Sequence, residues 1–103
     1  MNETFIRNRI SALRLKKGVS EYRMSTDLGH SKSYIQSISS GRSLPSLAGF
    51  LCICEYLSVT PQSFFNDDIE NPSRLEEAIA ALQTLSDDDF ALILAMIKRL
   101  QKG

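Results

Sequence analysis

Three glycines, Gly18, Gly29 and Gly41, divide the first part of the chain into short segments. Glycine is favoured just beyond the end of a helix, because the left-handed backbone conformation adopted there is strained for residues that carry a Cβ. Each glycine is followed within five residues by a serine that can cap the next helix, and these serines are Ser20, Ser31 and Ser46. The pattern predicts several short helices joined by tight turns.

Apolar residues at helical spacing support this division. Ile6, Ile10 and Leu13 recur at intervals of four and three residues, as expected for one face of a helix. The later segments carry Met24 and Leu28, then Ile35 and Ile38, then Leu47, Phe50, Leu51, Cys54 and Leu57, and finally Phe64 and Phe65. Thr60 and Pro61 suit the cap and the first position of a fifth helix. No stretch alternates as a strand does, so the sequence predicts an all-α fold.

The neutral formal charge of the whole chain conceals two halves of opposite sign. Residues 1–65 hold eight cations and four carboxylates, whereas residues 66–103 hold four cations and eight carboxylates. The turn-prone stretch Asn66–Pro72 begins the second half. We therefore expect a basic domain at 1–66, an acidic linker at 67–71 and a second helical region at 72–103. The basic half suggests a polyanion as its partner.

Several classes of function find no support in the sequence. No apolar run reaches the roughly 18 residues that span a membrane, and the first ten residues lack the apolar core of a secretory signal, so we expect a cytoplasmic protein. One histidine and two cysteines cannot supply the four ligands of a zinc site, and Cys52 and Cys54 are expected to be buried. No nucleophile stands in catalytic spacing with His30, so neither an enzyme nor a cofactor nor a small-molecule ligand is predicted.

The second and third helices and the turn between them, Leu28-Gly29-His30-Ser31, are the most informative part of the chain. Two short helices joined in this way can place the second helix in the major groove of DNA. Over residues 6–65 the chain resembles the lambda-repressor/Cro-type (XRE-like) helix-turn-helix family, through ISALRLKKGVS, LGHSKSYIQSISSGRSLPSL and YLSVTPQSFF in that order. The resemblance implies a five-helix lambda-repressor-like helix-turn-helix domain that binds double-stranded DNA, followed here by a C-terminal helical hairpin.

The resemblance also implies which side chains contact DNA. The residues expected to contact bases are Lys32, Ser33, Gln36 and Ser37 of the third helix, together with Glu21. The residues expected to contact phosphates are Arg14, His30, Tyr34, Arg42 and Ser43. The chemistry of these side chains is suitable, because lysine can donate to guanine, glutamine can pair with adenine, and a carboxylate can accept from cytosine.

Two positions depart from the pattern of that family. Glu21 stands where the family usually has a glutamine, and Ser39 stands where it has a glutamate that pairs with an arginine late in the first helix. The arginine itself is present as Arg14. Two orientations are open to it, because it can turn toward Glu21 or remain available to a phosphate.

Residues 72–103 are expected to form two further helices. Ser73–Glu76 has the capping-box pattern, and Ser86 can cap a last helix that has acidic residues at its start and basic residues at its end. The apolar residues expected to form a dimer interface are Phe90, Ile93, Leu94, Ile97 and Leu100. Leu92 and Met96 widen this apolar surface beyond one stripe. The surface would pair with a second copy, fold back on the basic domain, or bind another protein.

The sequence therefore predicts a DNA-binding transcriptional regulator, cytoplasmic and nucleoid-associated in a bacterium or encoded by a phage. In its simplest form it is a homodimeric repressor that reads a palindromic operator through the third helix. Two alternatives stay open. An antitoxin would use the same domain to regulate its own synthesis and the tail to hold a toxin. A protein-interaction module would have lost its DNA face, as Glu21, Ser39 and the neutral charge allow.

Overall fold

The computed structural model describes residues 2–66, 68 and 71–102, and within these residues it contains seven α-helices and no β-strand. They are α1 (Glu3–Lys17), α2 (Glu21–Asp27), α3 (Tyr34–Ser39), α4 (Leu47–Tyr56), α5 (Pro61–Phe64), α6 (Pro72–Leu82) and α7 (Asp87–Lys102). The predicted all-α fold is confirmed. The chain divides into two units, Met1–Ser73 and Arg74–Gly103. Within the predicted acidic linker, Asp67, Ile69 and Glu70 lie outside the described residues.

Glycines follow the ends of α1, α2 and α3, as the sequence predicts. Gly18, Gly29 and Gly41 have φ angles of 78°, 79° and 89°, all in the left-handed region. After α2, for example, the N–H of His30 donates to the carbonyl of Ser25 at 3.0 Å, so a carbonyl of the last helical turn gains a partner. The turn between α2 and α3 is therefore closed by backbone hydrogen bonds.

Among α2 to α5, the starts of the helices agree with the prediction in three cases and differ in one. The side chains of Ser20, Ser46 and Thr60 accept hydrogen bonds from backbone N–H groups of α2, α4 and α5, which confirms their capping roles. The predicted cap at Ser31 is wrong, because α3 begins at Tyr34 and its N-cap residue is Ser33. Lys32 and Ser33 thus precede α3 instead of forming its first turn.

One apolar core holds the first unit together. Its buried residues are Ile10, Leu13, Met24, Ile35, Ile38, Phe50, Ile53, Cys54, Leu57, Val59 and Phe64. All five helices of residues 2–66 contribute to it, so each of these short helices is stabilised mainly by tertiary packing. Phe64 is fully buried as expected, whereas Phe65 is partly exposed beside Phe5.

The orientation of α4 differs in detail from the sequence pattern. Leu47 and Leu51 are exposed, and Ile53 joins the core in their place. Cys54 is buried as predicted, but the same prediction for Cys52 is wrong. Residues two positions apart in sequence project about 200° apart around a helix. Cys52 therefore points away from the core that Cys54 enters.

Two arginines of α1 attach that helix to the rest of the unit. Arg7 Nε donates to the carbonyl of Ile38 at 3.1 Å, at the end of α3. Arg9 Nε donates to the carbonyl of Phe64 at 2.8 Å, at the end of α5. Cations are favourable beside helix C-termini, where carbonyls lack partners within the helix. These contacts fix α3 and α5 against α1.

The predicted starts of the two helices of the C-terminal region have different outcomes. α6 starts at Pro72, so Ser73 is its second residue and the predicted capping box is wrong. Proline suits the first position because its missing N–H is not needed there. Ser86 caps α7 as predicted, since its hydroxyl accepts from the N–H of Asp89 at 3.2 Å. Among the described residues, no helix has the length and apolar character needed to cross a membrane.

Candidate nucleic-acid interface

A buried hydroxyl joins α2 to the start of α3. Ser25 is fully buried, and its Oγ donates to the carbonyl of Glu21 at 2.7 Å and accepts from the N–H of Ile35 at 3.0 Å. The side chain of Ser33 makes no capping hydrogen bond to any described residue. Ser25 therefore supplies from α2 the cap that α3 lacks locally. This role could not be predicted from the sequence, because nothing local distinguishes Ser25 from other helical serines.

Four of the five residues expected to contact bases lie in or just before α3, and the fifth, Glu21, begins α2. Lys32, Ser33 and Gln36 are exposed, and Ser37 is half-buried. Neither Lys32 nor Ser33 forms a side-chain hydrogen bond or ion pair with another described residue. This end of α3 therefore presents an ammonium, a hydroxyl and a carboxamide to solvent, a group of donors and acceptors that can bind base edges.

Gln36 is in contact with one of the residues expected to bind phosphate. Arg42 Nη2 donates to Gln36 Oε1, and Arg42 Nε donates to Ser40 Oγ at 3.2 Å. Ser43 is exposed beside Arg42, and its N–H donates to the carbonyl of Ser37 at 3.2 Å. The guanidinium therefore lies next to the carboxamide, and the two expected kinds of DNA contact adjoin each other.

The two positions that depart from the family pattern contact each other. The hydroxyl of Ser39 donates to Glu21 Oε2 at 2.5 Å. Arg14 turns to Val19 and not to Glu21, since its Nη1 donates to the carbonyl of Val19 at 2.8 Å. Its Nε is buried and has no hydrogen-bond partner among the described residues. Arg14 thus braces the connection between α1 and α2.

His30 and Tyr34 form a stacked pair beside α3. Their ring centroids are 3.7 Å apart and their planes differ by 7°. His30 is exposed. The hydroxyl of Tyr34 lies close to Gly49 of α4, because a Cβ added to that glycine would be 3.0 Å from it. Burial is the main cause that raises the pKa of Tyr34, and the nearby thiol of Cys52 raises it further. The hydroxyl of Tyr34 therefore keeps its proton. The ring of Tyr34 packs against the imidazole of His30.

The fold uses many of the cations of the basic half. Arg7, Arg9 and Arg14 donate to backbone carbonyls. Arg23 pairs with Asp27 at 3.6 Å, and the ammonium of Lys17 lies 4.9 Å from the centroid of the Tyr56 ring. The contacts of Arg7, Arg9 and Lys17 join residues distant in sequence. Fewer of these cations can therefore contact a polyanion directly than the composition of the half suggests.

The apolar residues expected to form a dimer interface lie on α7. Ile93 is half-buried, and Phe90, Leu94, Ile97 and Leu100 are exposed. Leu92 and Met96 are more exposed than most of that set, although they were not predicted as interface residues.

No protein-family model, curated protein or solved structure matches the chain.

Proposed function

We propose that this protein is a sequence-specific DNA-binding transcriptional regulator, in its simplest form a homodimeric repressor. Residues 2–66 act as a lambda-repressor/Cro-type helix-turn-helix domain, with α3 as the recognition helix. The observation that carries this proposal is the group formed by Lys32, Ser33 and Gln36. Two of these side chains have no partner within the described part of the protein, and all three are exposed at the start of a helix whose position is fixed.

The rigidity of α3 supports the proposal. Reading a base edge requires donors and acceptors to be held at fixed positions, because hydrogen bonds weaken steeply with poor geometry. Ser25 holds the start of α3 and Arg7 holds its end. Both contacts come from other helices of the first unit, so α3 is supported along its length while its polar side remains exposed.

Each exposed side chain has a suitable role at DNA. Lys32 donates to O6 and N7 of guanine, and Gln36 pairs with N6 and N7 of adenine. Arg42 first has to release Gln36 Oε1, and a phosphate oxygen is the stronger acceptor for its guanidinium. Binding of the phosphate by Arg42 would therefore free the carboxamide of Gln36 for a base.

The limited number of uncommitted cations favours a dimer over a single domain. Each phosphate that a cation neutralises adds to the salt-dependent part of the affinity. Because Arg7, Arg9 and Arg14 serve the fold, one copy makes few such contacts. Two linked copies on adjacent half-sites bind much more tightly than one, since the second contact becomes intramolecular.

Because Arg7, Arg9 and Arg14 serve the fold, a second candidate is also favoured. This candidate is a protein-interaction module that has lost its DNA face. Glu21 adds a carboxylate at the start of α2, where a phosphate would be repelled. The two candidates differ in one measurable property, because only the DNA-binding regulator has a salt-dependent affinity for DNA.

Selection from a random pool of double-stranded DNA tests the proposal, first at about 50 mM and then at about 200 mM salt. We expect a palindrome whose half-sites lie about one helical turn apart. Lys32→Ala should cost about 1–3 kcal/mol at the selected site and relax base preference there. Lys98→Ala, which removes the same charge from α7, is the matched control. If nothing is recovered at low salt, or if Lys32→Ala binds as the wild type does, the proposed interface is wrong.

A further inference from the structure

The surface of α7 exposes more large apolar side chains than any other helix of the structure. Across Asp87–Lys102, all of which is described, no side chain is buried. Leu92, Met96 and Leu100 follow one another at intervals of four residues and are 60%, 54% and 78% exposed. Such spacing places them in one row along the helix. We name Leu92, Met96 and Leu100 the α7 row.

A neighbouring face of the same helix is better covered. Phe90, Leu94 and Ile97 are 40–42% exposed, and Ile93 is half-buried. The α7 row is therefore the part of the apolar surface that is most open to a partner. Contiguous exposed apolar surface of this kind marks an interaction site in a protein that stays in solution.

The charges of α7 are divided between its two ends. Asp87, Asp88 and Asp89 occupy the first turn, and Arg99 and Lys102 occupy the last. At about 100° per residue, Asp89 projects within about 20° of Met96 and Arg99 within about 60°. One negative and one positive side chain thus flank opposite ends of the α7 row.

We propose that the α7 row binds the α7 row of a second copy of this chain, with the two helices antiparallel. This inference rests on the dimer of the proposed function and specifies its interface. In the register that places position 94 of each copy at the same level along the helix axis, Leu92 of one copy meets Met96 of the other. In the same register, Asp89 of one copy meets Arg99 of the other, and two-fold symmetry repeats each pair.

Charge decides between the two orientations of the helices. A parallel pair would place the acidic first turns side by side and the basic last turns side by side, which is repulsive at both ends. An antiparallel pair places each acidic end against a basic end and also opposes the two helix dipoles. A second copy is thus complementary to α7 in charge, and it pairs Leu92 with Met96 within the α7 row.

Sedimentation equilibrium of the full chain without DNA tests whether the α7 row is the interface. We expect a concentration-dependent dimer for the wild type and at least tenfold weaker association for Met96→Glu. Ala91→Glu, an exposed change about 140° round the helix from Met96, is the matched control and should associate as the wild type does. Circular dichroism establishes that both variants keep their helices. A wild type that is monomeric at about 100 μM overturns the inference, as does equal weakening by both variants.

A charge exchange tests the orientation. Asp89→Lys and Arg99→Glu should each weaken the dimer about tenfold, because each converts two attractive pairs into two repulsive ones. The double variant should restore association, since each lysine then meets a glutamate of the other copy. Both changes oppose the helix dipole, so restoration cannot arise from a more stable α7. In a parallel dimer the double variant would restore nothing, and that result overturns the inference. Because DNA is absent, a failed DNA selection and a failed dimer remain distinguishable.

Discussion

The hydroxyl of Ser39 donates a hydrogen bond to the carboxylate of Glu21, and this contact links the end of α3 to the start of α2. Each of these residues differs from the resembled family, in which glutamine and glutamate occupy the two positions. In that family the glutamate pairs with an arginine late in the first helix. Here Ser39 instead forms a hydroxyl–carboxylate contact with Glu21 of α2. In the proposed function the pair leaves a negative charge where a phosphate of DNA would approach.

Glu21→Gln should tighten DNA binding. The amide oxygen of glutamine still accepts the hydrogen bond from Ser39, while the charge that repels phosphate is removed. We expect affinity for all DNA to rise several-fold, and the stability of the protein to change by less than about 0.5 kcal/mol, because the site is at the surface. Fluorescence anisotropy with cognate and random duplexes measures the affinity. Weaker binding to the cognate duplex alone would instead identify Glu21 as a reader of cytosine.

Ser25→Ala should destabilise the first unit by about 1–3 kcal/mol. The change removes the acceptor for the buried N–H of Ile35 and leaves that donor without a partner. Urea denaturation followed by circular dichroism measures the loss. Thr26→Ala is the matched control, since its hydroxyl is exposed and donates only to Arg23 within its own helix. Equal stability of the two variants would contradict a capping role for Ser25.

Ser58→Gly should stabilise the protein by about 0.5–1 kcal/mol. Ser58 follows α4 with a φ of 58°, a left-handed conformation that is strained for a residue with a Cβ. Gly29→Ser makes the reverse exchange at a φ of 79°, where an added Cβ would meet nothing within 4 Å. That variant should therefore lose stability through backbone strain alone. Thermal melts of the two variants should shift in opposite directions.

The buried thiol of Cys54 should lower the stability of the protein at high pH. Burial raises the pKa of Cys54 to about 11 from an ordinary value of 9.0. Below pH 9 the thiol is protonated in both states. Between pH 9 and 11 the unfolded chain loses the proton while the folded chain keeps it, so the free energy of unfolding falls as pH rises. Denaturation curves at pH 8 and pH 10 measure this fall.

A thiol reagent gives an independent check on the two cysteines. At pH 8 we expect it to label the exposed Cys52 in the native protein and both cysteines in denaturant. Cys52→Ser should abolish fast labelling of the native protein. Rapid modification of Cys54 in that variant would contradict its burial.

Local signals explain why most helix boundaries could be predicted. Gly18, Gly29 and Gly41 act through their own backbone conformations, and Ser20 and Ser46 act on N–H groups three residues away. The start of α3 was misplaced because its cap comes from Ser25, which is ten residues from its partner. Sequence patterns of helix capping extend over only a few residues, so a cap supplied by another helix leaves no comparable signal.

The candidate interface was predictable as a set of residues but not as a set of contacts. The resemblance indicated Lys32, Gln36 and Arg42, and the structure places them at or near α3. Their hydrogen bonds, and the use of Arg7 and Arg9 as supports of the fold, depend on pairs that are 6 to 55 residues apart in the chain. Such pairings follow from tertiary packing, which neither composition nor periodicity specifies.

The bonds of Arg7 and Arg9 to carbonyl groups have a consequence for the behaviour of the protein in salt. A short, partly buried bond between a guanidinium and a carbonyl is little affected by mobile ions, whereas attraction between an exposed cation and a polyanion is screened within about 10 Å at 0.1 M salt. Concentrated electrolyte should consequently strip the protein from a nucleic acid and leave it folded, ready to bind again after dialysis.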